Sequence, residues 1–399
     1  PLDGDIAAGL VGHWTFDEGS GSGTAADSAG TNPGTLTSMN VTTAWGAGKI
    51  GGALAFDGID DYVQTTSTQL QTENNFTIAL WFKANSTAFA GHLAWQGNAA
   101  GNGWGAEQEM HLALGEFTTA GINNRLSFFL GSNGPDATPD VISFGVDFTD
   151  IANWNFVAVT VSDLNTSPSA RMYLNGVLVG TDTGTTASTA RGLWNTALRF
   201  GRPGTAARFF NGVLDDVRVY NRALSAAEVS KLHLRGGGWQ YRKEISIASA
   251  NVAGPLTEFP VLISLANDQE LKARAQASGA DILFTAADGS KLSHEIEKYD
   301  PTPVTGATLL AWVKVPSLSA TANTDLYMYY GDAAASDQQD PAGVWDGNFK
   351  GVWHLKENPG GAAPQMKDST SNAKHLTKVG SPTQTTGRIG DGLNNPDGA

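Results

Sequence analysis

The chain has no cysteine among its 399 residues. Disulfides and thiolate metal sites are therefore excluded, although this absence alone does not fix a compartment. Charge is sparse at 16% of residues, and basic charge is sparser still: 25 Lys and Arg stand against 39 Asp and Glu, a formal net charge of −14. A surface of that sign repels phosphate, so nucleic acid is not expected as a partner, whereas cations are suited to it. No apolar run approaches the roughly 18 residues that a membrane span needs, so no membrane insertion is expected of this segment. The opening PLDGDIAAG lacks the basic and apolar regions of a secretory leader, and the chain reads as a mature form or an excised fragment. The seven His show no HExxH-like spacing, and no Gly-rich stretch sits between a strand and a helix as phosphate binding requires. Helical periodicity is scarce.

What is abundant is glycine, 48 residues of it, together with Ser, Thr, Ala and Asn. Between these turn-formers run segments of alternating apolar residues: 76-FTIALWFKA-84, 155-NFVAVTVSD-163, 170-ARMYLNGVLVG-180 and 213-VLDDVRVYN-221. Period-two alternation predicts half-buried strands, and Asn175-Gly176 predicts a hairpin with a type I′ turn. The one clear helix signal is 224-LSAAEVSKLH-233, in which Ser225 and Glu228 have capping-box spacing. Residues 9–234 thus read as an antiparallel β-sandwich. Arg235-Gly236-Gly237-Gly238 reads as a flexible linker over 235–238. Strand-like segments 241–247, 258–265, 280–286, 308–315 and 325–331 predict a smaller sandwich over 239–333.

The remaining residues repeat the beginning. The stretch 351-GVWHLKE-357 echoes 12-GHWTFDE-18, 368-DSTSNAKHLT-377 echoes 27-DSAGTNPGTL-36, and 387-GRIGDGLNNPDG-398 echoes 48-GKIGGALAFDG-58. Trp14 precedes Gly48 by the same interval at which Trp353 precedes Gly387. Residues 345–399 therefore read as the opening of a second copy of the first module. Disorder, docking on the middle sandwich, or completion by a strand of a neighbouring copy are all open to it.

These landmarks carry a resemblance. The series 14-WTFDEGSG-21, Asp27-Ser28, 48-GKIGGALAFDGIDDYV-63, 76-FTIALWFK-83, 154-WNFVAVT-160, 173-YLNGVLV-179 and 212-GVLDDVRVYNRALSAAEV-229 resembles the bacterial laminin-G-like domains of the concanavalin-A-like lectin/glucanase superfamily. The segments 239-WQYRKEI-245, 258-EFPVLISL-265, 279-GADILFTAADG-289, 293-SHEIEKYD-300, 311-AWVKVP-316 and 326-LYMYYGD-332 resemble domain of unknown function 2341. The resemblance implies an all-β chain: a jelly-roll sandwich, a smaller sandwich and a partial β module. It further implies a secreted or cell-surface bacterial protein, without catalytic activity of its own, that binds a glycan or a surface. A structural spacer, or a fibre subunit assembled from neighbouring copies, is the alternative; an accessory region of a polysaccharide-degrading enzyme is a third.

The adjacent acids Asp215 and Asp216 lie within an alternating strand. Strict alternation puts Asp215 on one face with Val213, Val217 and Val219, and Asp216 on the other with Leu214, Arg218 and Tyr220. The resemblance implies a structural Ca²⁺ between the N-terminal region and this last strand, with Asp27 and Asp216 as ligands and Glu18 as a further candidate, because hard oxygen ligands would explain buried acid. The plainer reading pairs the acids with Arg218 or Arg222, or leaves them solvated. The patch 57-DGIDDYV-63 reads as an Asx turn before a strand, or else as another cation site or part of the lectin-type ligand surface. For a saccharide, Trp95, Trp104 and Trp194 with Arg202 are the candidate contacts; the loop tryptophans Trp104 and Trp194 otherwise only cover sandwich edges. The stretch 107-EQEMH-111 places Glu107 and Glu109 on one face but lacks the third acid of the glycosidase pattern, so catalysis is not expected from it.

Overall fold

The structure, a computed structural model, describes residues 6–86, 91–97, 109–115, 124–131, 142–151, 153–184, 196–204 and 208–395. The chain divides into two compact units that meet between Gly236 and Gly237.

In the first unit two antiparallel sheets face each other. One runs, in spatial order, Val177–Thr183, Ser169–Leu174, Asn155–Ser162, Phe76–Ala84, Asn211–Tyr220, Gly52–Asp57 and Trp45–Ala47, with Leu10–Trp14 also paired to Asn211–Tyr220. The other runs Ile142–Asp147, Arg125–Gly131, Glu109–Leu114, Gly91–Gln96, Arg199–Phe200, Tyr62–Gln64, Gly34–Thr37 and Thr24–Ala25. Strands close in sequence are often far apart in the sheets, as a jelly roll requires. The inward positions of both sheets, among them Trp14, Leu54, Ile78, Leu80, Leu112, Phe128, Val157, Phe200 and Leu214, form one buried core. A second layer lies between the outer face of the first sheet and helix Ala226–Gly236, where Trp81, Phe156 and Tyr220 pack on Val229 and Leu232.

Local chemistry explains the elements. Asn175 and Gly176 both have positive φ, 51° and 80°, as a type I′ turn demands. Ser225 and Glu228 close the capping box: the Glu228 N–H donates to Ser225 Oγ at 3.3 Å and the Ser225 N–H to Glu228 Oε2 at 2.9 Å. The helix continues through Arg235 and Gly236, so the first half of the expected linker is helical. A Cβ on Gly236 would sit 2.3 Å from the Trp81 ring, which is why a glycine ends this helix.

In the second unit, sheet Tyr241–Ile247, Thr324–Tyr330, Leu283–Ala286 and Lys291–Leu292 and sheet Leu256–Asp268, Ala307–Leu318 and His294–Asp300 enclose a core that includes Ile263, Phe284, Leu309, Val313 and Met328. The repeated segment belongs to this unit, and several hydrogen bonds of residues 13–32 recur in it. The His13 N–H donates to Asp27 Oδ1 at 2.9 Å, and the Val352 N–H donates to Asp368 Oδ1 at 2.9 Å. Trp14 Nε1 donates to the Asn32 carbonyl at 3.0 Å, and Trp353 Nε1 to that of Lys374 at 2.8 Å. Glu18 accepts from the Ala26 N–H at 2.8 Å, and Glu357 from the Lys367 N–H at 3.1 Å. Phe16 and Leu355 share a positive φ, 56° and 59°.

The segment does not stand free of the middle sandwich. Glu295, 4% exposed, accepts from Trp345 Nε1 at 3.0 Å, Ser369 Oγ at 2.8 Å and Lys356 Nζ at 3.3 Å, and it contacts His354 Nε2 at 3.1 Å. These contacts set the segment against the middle sandwich. Trp345, His354 and Lys356 occupy positions that dock; in the first copy Thr15 and Asp17 stand at the places of His354 and Lys356.

Candidate functional site

Asp215 and Asp216 bind protein groups. The register of strand Asn211–Tyr220 slips between Asp215 and Arg218, and Asp216 sits in the bulge at φ 48°. An inserted residue breaks period two. Asp215, Asp216 and Arg218 are consequently all buried outside the cluster formed by Leu214, Val217 and Val219, and the strict alternation expected from sequence is corrected. Asp215 Oδ2 accepts the N–H groups of Lys49 and Ile50 at 2.7 and 2.8 Å, fastening the Gly48–Gly52 turn to the last strand. Burial pushes its carboxyl up to about 7, with Asp216 and Asp17 adding to the rise. Asp216 is held by Arg218 through two bonds of 3.0 Å, by His13 Nε2 at 2.7 Å and by Arg235 at 3.5 Å. Burial opposes its ionisation, but the His13 hydrogen bond and the Arg218 guanidinium outweigh it and hold the carboxyl below the usual range.

The calcium candidates all make contacts with protein groups. Asp27 accepts from His13, Ala29, Gly30 and Asn32 backbone N–H groups, Glu18 from that of Ala26, and Asp216 faces cations already. Among the described residues, the acids whose ligand oxygens do converge, all within 4.8 Å, are Asp57, Asp60 and Asp61. The turn reading of that patch accounts for its hydrogen bonds: Asp57 Oδ1 accepts from Ile59 N–H at 2.7 Å and Asp61 Oδ2 from Asp57 N–H at 3.0 Å. Burial, followed by the charges of Asp57 and Asp60, raises the Asp61 carboxyl.

The second sheet carries the other candidate. Its register aligns Gln64, Arg199, Trp95, His111, Phe129 and Ser143 in one row across six strands. None of these belongs to the core between the sheets, so the row lies on the outer face. Its middle is buried and polar. Glu109 Oε2 accepts from Trp95 Nε1 at 3.1 Å and lies 2.8 Å from His111 Nε2, while His111 Nδ1 is 2.8 Å from His92 Nε2. Burial, then His111 and Arg208, hold the His92 pKa well below its ordinary value. Among the described residues, Glu109 Oε1 and Gln96 Oε1 are buried without a hydrogen-bond partner.

The other end is half-exposed. Arg199 stacks over Tyr62 and Trp95 at 5.9 and 5.2 Å from the ring centres, and Arg202 over Tyr62 and Phe209 at 4.7 and 5.2 Å. Trp95 and Arg202, both expected at a ligand site, are thus linked through Arg199 and Tyr62. Trp95 is 0% exposed, however, so it is a floor beneath Arg199 and not the open platform anticipated. Trp104, Trp194 and Glu107 lie outside the described residues. Tyr62 lies in the 57–63 patch that the sequence offers as part of a ligand surface; Arg199 had no sequence signal as a site residue.

Residues 57–230 match the family described as the concanavalin A-like lectin/glucanases superfamily, and residues 278–353 match the domain of unknown function DUF2341. No family match extends to a second laminin-G-like copy beyond residue 353. No curated protein matches the chain in sequence. Among solved structures, domain 4 of an extracellular GH43 arabinanase from Geobacillus stearothermophilus, in complex with arabinotriose, is similar at 22% identity and TM-score 0.42, over 57% of this chain and 98% of that one. Trypanosoma rangeli sialidase, in complex with the inhibitor DANA, is similar at 16% identity and TM-score 0.41, over 57% of this chain and 33% of that one. The CBM40 domain of Ruminococcus gnavus IT-sialidase, bound to α2,3-sialyllactose, is similar at 18% identity and TM-score 0.36, over 44% of this chain and 94% of that one.

Proposed function

We propose that the first unit, with its concanavalin A-like match over residues 57–230, is a non-catalytic glycan-binding module of a secreted or surface-attached protein. One observation carries the reading: the outer face of the second sheet ends in a half-exposed group of aromatic and polar side chains, Tyr62, Gln64, Arg199, Arg202 and Phe209. Saccharides are recognised by such a pairing of ring faces with fixed hydrogen-bonding groups. Binding is favoured over hydrolysis because Glu109 is engaged by Trp95 and His111, and position 112, where the glycosidase pattern has its third acid, is Leu112. No helix among the described residues is long and apolar enough to cross a membrane. The test is titration of the chain against an oligosaccharide panel by calorimetry. Saturable binding is expected, weakened at least about tenfold, or ~1.4 kcal/mol, by Tyr62→Ala. Absence of binding across the panel, or binding indifferent to Tyr62→Ala, refutes it.

The residues that fit a divalent cation in this reading are Asp57, Asp60 and Asp61. Calcium held there would neutralise three neighbouring acids and tie the turn after strand Gly52–Asp57 to strand Tyr62–Gln64. A hundredfold excess of Ca²⁺ over Kd should then stabilise the unit by roughly 2.7 kcal/mol. Asp60→Asn should remove the calcium-dependent rise in melting temperature and Asp27→Asn should leave it intact. The reverse pattern overturns the assignment.

A further inference from the structure

Arg199 and Arg202 are an unusual pair. Both guanidinium groups converge on the same two acceptors: Arg199 Nη1 reaches the Pro203 and Gly204 carbonyls at 3.5 and 2.9 Å, and Arg202 reaches them through Nε and Nη2 at 3.1 and 2.8 Å. Arg199 Nε donates to Gln64 Oε1. Both side chains flank the Tyr62 ring. Two like charges are thereby held side by side and partly out of water. Burial lowers the Arg199 pKa, and Arg202 lowers it further. The chain carries 39 acidic residues, yet among the described residues neither arginine is ion-paired with a carboxylate.

A guanidinium has five N–H donors in a fixed planar fork. Those of Arg199 Nη2 and Arg202 Nη1 have no acceptor among the described residues. The carbonyls, Gln64 and the rings fix both forks before any ligand arrives. Such preorganisation suits a planar or tetrahedral anion taken in bidentate fashion, and lysine could not reproduce it.

We propose that Arg199 and Arg202 form a receptor for an anionic oxygen group, carboxylate or sulfate, carried by a saccharide. The proposal rests on the glycan-binding reading and specifies its ligand class. The bound anion offsets the repulsion between the two guanidinium groups, and Tyr62 and Phe209 border the sugar ring that carries it. The net charge of −14 favours a short anionic unit and opposes long polyanions.

The experiment titrates the full chain with trigalacturonate, with a κ-carrageenan tetrasaccharide, which carries sulfate and no carboxylate, and with cellotriose. The first two separate carboxylate from sulfate as the source of the anion; the third is neutral. Binding of at least one acidic probe is expected. It should fall tenfold or more in Arg202→Gln, fall less in Arg202→Lys, and weaken several-fold as salt is raised from about 0.05 to about 0.5 M. Among the described residues Arg202 contacts its own turn and two rings, and a melting curve verifies that each variant is folded. If acidic probes bind equally well to Arg202→Gln, or cellotriose binds as tightly as they do, the inference falls while the glycan-binding reading stands. If no saccharide binds, both fall. If inorganic phosphate or an oligonucleotide binds through the same arginine and no saccharide does, the anion receptor is real but the saccharide assignment is overturned.

Discussion

Asp216→Asn is expected to destabilise the first unit by about 3–5 kcal/mol, the usual cost of removing one partner from a buried ion pair. Asp216 is 4% exposed and Arg218 is equally so. The substitution leaves the Arg218 guanidinium without its counter-charge and weakens the bonds to His13 and Arg235, so the N-terminal strand and the end of the helix lose their common anchor. Asn is the informative replacement. Asp216 sits at φ 48°, which Asn tolerates well, so backbone strain adds little to the effect. The measurement is urea unfolding followed by tryptophan fluorescence. The double variant Asp216→Asn, Arg218→Met should recover part of the loss, because no unpaired charge then remains buried. A single-variant loss below about 1 kcal/mol would show that water reaches the cluster and that the acids are solvated.

The same residues show where sequence reasoning reached and where it stopped. Strands Phe76–Ala84 and Asn155–Ser162, the Asn175-Gly176 turn and the Ser225–Glu228 cap were all legible. Each is written within a few residues, by alternation, by tolerance of positive φ or by a polar side chain at fixed spacing. The bulge at Asp216 is not written that way. It arises where one strand must pair with both Phe76–Ala84 and Leu10–Trp14, and nothing in VLDDVRV marks the inserted residue. The candidate site was legible only in part for the same reason. Arg202 and Trp95 could be singled out as residue types, but their link depends on Arg199 pairing with Gln64 on one side and Trp95 on the other. Those pairings join segments distant in the chain, and the alternation of a two-residue strand such as Arg199–Phe200 is too short to show a face. The glycines that follow Trp95 suggest an open contact; in fact strand Gly91–Gln96 carries it, beneath a guanidinium.

The repeat makes the last expectation possible, because two copies of one local structure differ in what they touch. In the first copy the turn Gly48–Gly52 is fastened by Asp215 from the closing strand. In the second, the opening segment is fastened instead by an acid of the middle sandwich, Glu295, with Glu297 beside it. Burial opposes the charge on His354, but its contacts with Glu295 and Glu297 prevail and raise its pKa to about 9. Burial likewise opposes ionisation of Glu295, and His354, Lys356 and Trp345 together hold it down at about 2. Because the His354 pKa is raised on folding, its contribution to stability is complete below about 6.5 and is lost as pH rises through about 9. Glu295→Gln removes the charge that His354 and Lys356 share. The expected cost is about 3–5 kcal/mol of local stability, together with loss of the alkaline dependence. Hydrogen exchange at pH 7 and pH 10 reads this directly. The Ser369, Leu376 and Met366 amides, which donate to the Val352, Met366 and Leu376 carbonyls, report on the segment itself. In the unmodified chain their protection should drop between the two pH values after correction for intrinsic exchange; in Glu295→Gln it should be low at both. Equal protection in the two proteins at pH 7 would mean that the opening segment holds its shape without the middle sandwich, and that the Glu295 cluster is a consequence of docking and not its cause.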